Sequence, residues 1–211
     1  MSFNTYGQKT KSTGAPVQVW AEVSGVKNGG GTIADFDDLP DGYVIPAGTP
    51  VYLDKAGGNL TPIYFYELKT TLTALDTEAV LYGSAPLNPA GGNVIVAPSA
   101  IGGSGTGVAY SAAVDNGDGT HTITIEANAL GAAVAGTIYA EADKAGAGAV
   151  VENTAVPSGL LWNDIVKEEG DTVASGAVVD KGRIYADRID ALPAAYEKHL
   201  EYVGIKFEKG I

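Results

Sequence analysis

VAYSAAV-DNGDG-THTITIEA, residues 108–127, reads as two β-runs folded about a five-residue turn. Asn116-Gly117 and Asp118-Gly119 supply the positive φ angles that tight hairpin turns require. In the second run Thr120, Thr122 and Thr124 fall on one face and His121, Ile123 and Ile125 on the other, the two-residue alternation of a half-buried strand. The rest of the chain is punctuated in the same way. With 29 glycines and 10 prolines in 211 residues, many short strands joined by turns fit better than a few long helices.

Moving outward, PVQVWAEV at 16–23 alternates, placing Val17, Val19, Ala21 and Val23 on one face and Gln18, Trp20 and Glu22 on the other. YVIPAGTPVYLD at 43–54 holds two β-runs about a Pro-Ala-Gly turn, and PIYFYEL at 62–68 is the most aromatic stretch. Beyond residue 135, GTIYAEA, GLLWNDIV and GRIYADRI continue the β pattern, and VGIKF closes it at 203–207. The spacing of Leu72, Leu75, Ala79 and Val80 predicts a short helix within 71–81. A second helix is expected at 193–201, where Leu192, Tyr196 and Leu200 recur every four residues after Asp190. The expected fold is all-β, a mainly antiparallel sandwich or barrel-like base with one short C-terminal helix and an inserted hairpin region. Residues 1–15 read as a flexible polar arm, 16–70 and 136–211 as the base, and 71–135 as an outward-projecting insertion.

Composition narrows the function. The formal net charge of −12 argues against nucleic-acid binding, which needs a basic face. No apolar run is long enough to span a membrane, and the first 18 residues do not read as a signal peptide. The absence of cysteine removes disulfides and thiolate chemistry. Between Lys69 and Lys144 there are seven acids and no base, whereas the first 30 residues carry three lysines against one acid. One end of the molecule is thus suited to an acidic partner.

The chemical candidates are sparse. His121 and His199, the only histidines, show neither triad nor metal spacing and read as packing or surface residues. Gly102 to Gly107 lacks the lysine of a phosphate-binding loop and reads as a flexible loop. Asp35, Asp37, Asp38 and Asp41 are the best candidates for a calcium ion, with Asp115 and Asp118 weaker; the alternative for both sets is a solvated turn. No catalytic residues and no cofactor are expected.

The order of VIPAGTPVYLD (44–54), PSGLLWNDIV (157–166), SGAVVDKGRIYADRID (175–190) and the closing VGIKF resembles head-fibre and decoration proteins of tailed bacteriophages, including crAss-like phages. The resemblance covers about 43–68 and 136–207. It implies a non-catalytic virion protein, made in the host cytoplasm, that binds the outer surface of the major capsid protein as a homo-oligomer, commonly a trimer. Heptads and fibrous repeats are missing, so a compact knob is expected in place of a shaft. Lys9, Lys11, Trp20, Trp162, Arg183 and Arg188 are the expected capsid-binding residues. The alternative for the aromatics, and for the tyrosines of 64–66, is a place in the core. The competing function is an adhesin for a host-surface glycan or receptor, with the insertion carrying the recognition loops.

Overall fold

The computed structural model describes residues 18–27, 30–127, 129–151 and 156–210. The chain first lays down β1 (Trp20–Val26), β2 (Gly31–Ile33), β3 (Val44–Ile45), β4 (Pro50–Asp54) and β5 (Asn59–Pro62). It continues through β6 (Tyr66–Leu68), β7 (Glu78–Tyr82), β8 (Gly92–Val96), β9 (Ser104–Asp115), β10 (Thr120–Ile125), β11 (Ile138–Glu141) and β12 (Gly146–Val150). Then follow β13 (Gly159–Leu161), β14 (Ile165–Val166), β15 (Ser175–Gly176), β16 (Val178–Tyr185), the helix α1 (Ala194–Val203) and β17 (Ile205–Glu208).

The DNGDG hairpin is one corner of a closed barrel. Six antiparallel strands run in the order β10-β7-β6-β11-β8-β9, and β9 pairs back onto β10 to close the ring. Closure removes the free edges that an open sheet would expose. Tyr66, Leu68, Leu81, Val94, Tyr110, Ile123 and Tyr139 fill the interior. β12 extends the wall beside the first half of β9.

The remaining strands form a curled mixed sheet in the order β1-β16-β13-β4-β5-β2-β15, with β17 beside β16. It is mixed because β2–β5 and β16–β17 pair parallel. The helix α1 joins the two halves. Tyr196 packs with Phe65, Ile95 and Ala140 against the barrel wall, and Leu200 packs with Trp20, Leu160 and Ile205 against the base sheet. The spacing of four read from the sequence therefore serves both halves. The rings of Phe65 and Tyr196 meet edge to face at 4.8 Å.

Two expectations are corrected. Residues 71–81 form no helix: Asp76 closes a turn by accepting the Thr73 amide, and β7 follows with Ala79 and Leu81 turned inward. Barrel closure needs a strand here, and Ala79 and Leu81, two residues apart, share a face only in a strand. The N-cap of α1 is Pro193. The faces of the first strand are not those of 16–23, because β1 carries bulges that let Trp20 and Val23 both pack inward. The barrel sheet runs from Tyr66 to Val150, with β6 and β11 completing its ring.

Candidate functional site

The described residues expected to bind a capsid gather about β1, but they differ in exposure and in partners. Lys9 and Lys11 lie outside the described residues. Trp20 is corrected from surface anchor to core: it is 8% exposed and its Nε1 donates to the Trp162 carbonyl at 2.9 Å. An indole that must satisfy its N–H on burial gains by this bond. Trp162 keeps 40% of its surface exposed. On β16, Arg183 lies between Glu22 and Glu208, at 3.7 and 3.2 Å. Arg188 stacks on Tyr185 at 4.3 Å and donates to the Gln18 carbonyl. Of the aromatic run, Tyr64 is half-buried, and Phe65 and Tyr66 are core.

The acidic turn does not build a calcium cage. Asp37 faces the ammonium of Lys167 at 3.6 Å, and Lys167, 4% exposed, also donates to the Asp37 and Asp171 carbonyls and lies 5.0 Å from the Phe36 ring centre. The chain thus supplies its own cation. Among the described residues no three His, Asp or Glu side chains converge as metal ligands. Asp115 and Asp118 serve the hairpin turn, accepting the Gly117 and Thr120 amides. Hydrogen bonds from the Thr120 hydroxyl and amide lower the pKa of the Asp118 carboxyl.

The glycines after Gly103 are not a flexible loop, because Ser104–Gly107 begins β9 and pairs with β12. A Cβ at Gly107 would lie 2.1 Å from the Lys144 carbonyl oxygen, so the close approach of the two strands requires glycine. His199 is half-buried on α1. His121 is buried in the barrel wall with Nε2 3.1 Å from the Gly83 carbonyl.

A polar cluster that the sequence did not announce lies where the barrel meets the base. Asp190 accepts from the Ser84 amide and hydroxyl at 3.0 and 2.9 Å, while neighbouring Gly83 holds His121. Burial raises the Asp190 pKa against the pull of these Ser84 bonds and of His121. Burial, then the Tyr64 phenol, pushes Tyr43 far above the usual range; Tyr66 is raised by burial and then by the charge of Glu141. These phenols stay protonated and are poor bases. Ser84 gives its hydroxyl hydrogen to the carboxylate, and His121 faces a carbonyl, so the three do not form a nucleophile–imidazole relay.

The second feature is an open groove of about 740 Å³ on the base sheet, lined by Val26, Lys27, Leu53, Lys55, Gly58 and Asp180, with Gly30 at its edge. Nothing in the spacing of these residues marks them in the sequence, because the strand pairing alone brings them together. Compared with known proteins, the chain matches no family model, no curated protein and no solved structure.

Proposed function

We propose that this chain is a non-catalytic virion protein of the head-fibre or decoration type, attached to the outer surface of a capsid as a homo-oligomer. One observation carries the reading. The first stretch on which the resemblance rests is separated from the other three by more than 100 residues, yet all four lie in one half of the fold. β4, β13, β16 and β17 share the base sheet, and β3 pairs with β14 beside them. The base is thus a unit to which the barrel is added, as a shell-binding foot carrying a compact knob would be. Trp162, Arg183 and Arg188 belong to this foot and are the residues assigned to the shell. Oligomerisation would multiply weak contacts into firm attachment. Light scattering and co-sedimentation with assembled capsids test the reading: an oligomer that pellets with capsids supports it, and a monomer that stays in the supernatant at micromolar concentration overturns it.

The alternative, host glycan or receptor recognition, is favoured by the far end of the barrel. There the β6–β7 and β10–β11 loops meet through a Leu72–Ala133 bridge and an Ala135 amide bonded to the Thr71 hydroxyl. Leu75 and Val134 stand 78% and 69% exposed on these loops. Rigidly mounted loops with exposed apolar tips are a usual place for recognition.

A further inference from the structure

We infer that the groove between the end of β1 and the β4–β5 turn is a binding site for an acidic saccharide, one bearing carboxylates on its sugar ring. This inference is independent of capsid attachment and of the loops at the far end of the barrel.

The groove is held by hydrogen bonds on both sides. The Lys27 amide donates to the Val178 carbonyl at 2.8 Å, fixing the end of β1 against β16. On the other side, the Asp54 carboxylate accepts the Ala56 and Gly57 amides at 3.0 and 3.1 Å, and this turn presents Lys55. The sheet therefore fixes where the two lysine stems leave the backbone, with Asp180 on the neighbouring strand.

The charges fit an anion. In a protein of net charge −12 this groove brings two lysines, Lys27 and Lys55, against a single carboxylate, Asp180, and neither lysine forms an ion pair among the described residues. Two cations facing one groove will attract a carboxylate, phosphate or sulfate.

The rest of the lining selects among these. Asp180 would repel a bare anion, but it accepts hydrogen bonds from hydroxyl groups, which a sugar offers beside its carboxylate. Val26, 36% exposed at the end of β1, contributes apolar surface on which the C–H face of a pyranose can rest, with the largely buried Leu53 beneath. Cations, one carboxylate and an aliphatic strip together match an acidic sugar better than a simple anion. The volume lies within the range of small-ligand sites and exceeds what one inorganic ion needs.

The test is a titration of isotope-labelled protein with an oligosaccharide of galacturonic acid, its neutral methyl ester and inorganic phosphate, followed by amide shifts. The acidic oligosaccharide is expected to shift Val26, Lys27, Leu53, Lys55 and Gly58, more weakly as salt rises, while the methyl ester leaves them in place. Lys27→Ala with Lys55→Ala should weaken binding by about tenfold or more with the spectrum otherwise unchanged. Asp180→Asn separates the chemistries: a saccharide that uses the carboxylate loses affinity, whereas a bare anion binds more tightly. Phosphate binding as well as the sugar, with both tightened by Asp180→Asn, would overturn the inference. So would the absence of groove shifts with millimolar oligosaccharide.

Discussion

The carboxylate of Asp190 takes both the amide and the hydroxyl hydrogen of Ser84, at 3.0 and 2.9 Å, across 106 residues of sequence. Ser84 lies in the β7–β8 loop of the barrel and Asp190 in the segment leading to α1, so one short contact ties the inserted barrel to the base.

The pH dependence of this tie has a definite sign. Burial holds the Asp190 pKa above its ordinary value, so the folded protein binds this proton more tightly than the unfolded chain does. Its contribution to stability is fully present below the unfolded carboxylate value and is lost as pH rises through the folded one. Asparagine imitates the protonated acid, accepting the Ser84 amide and donating to its hydroxyl. Asp190→Asn should therefore raise Tm over the parent at pH 7, with the gain vanishing near pH ~3. A lower Tm for the variant at pH 7 would show that the Ser84 bonds outweigh burial.

Gly83→Ala tests the same junction sterically. The new methyl would lie 2.7 Å from the Tyr66 ring and 2.9 Å from the Phe65 carbonyl oxygen, and Tyr66 is fully buried. A loss of about 1–3 kcal/mol is expected in urea unfolding. Gly42→Ala is the control: nothing lies within 4 Å of the added methyl, and only the backbone angle of φ 84° opposes it. That change should cost about 1 kcal/mol.

What the sequence revealed and concealed follows from the range of the interactions. The DNGDG turn and the helix ending near Gly204 are local, and each could be read from adjacent residues. Closure of the barrel depends on β7 meeting β10 and β6 meeting β11, which no short window contains. Trp20 illustrates the difficulty: alternation placed it opposite the valines, and a bulge turned it inward. Lys167 is another case, because a lysine is usually exposed and its acceptors lie in two separate loops. The groove escaped for the same reason, since Lys27, Lys55 and Asp180 are neighbours only in the folded sheet.

Lys167→Met should lower stability by about 1–3 kcal/mol, because it strands backbone carbonyls that the ammonium satisfies and removes its contact with Phe36. Asp37→Ala should cost less than about 1 kcal/mol, since the Asp37 side chain is 72% exposed and water screens the pair. Denaturant unfolding of both variants decides the matter. Equal losses would mean that the ion pair, and not the buried end of the lysine, holds the two loops together.

The two tryptophans should separate folding from attachment. Trp20→Phe removes the Nε1 donor from the Trp162 carbonyl and leaves space in the base core. It is expected to cost about 1–3 kcal/mol while the shell-facing surface keeps its composition. Trp162→Ala leaves that carbonyl in place and trims a ring that is 40% exposed, so the loss of stability should be the smaller of the two. If Trp162 anchors the foot, its removal should weaken capsid co-sedimentation by about tenfold or more, the usual scale for an aromatic interface anchor. Trp20→Phe at a temperature where it remains folded should pellet with capsids like the parent. The opposite pattern, with Trp162→Ala binding normally, would remove Trp162 from the interface and leave Arg183 and Arg188 as the next positions to vary.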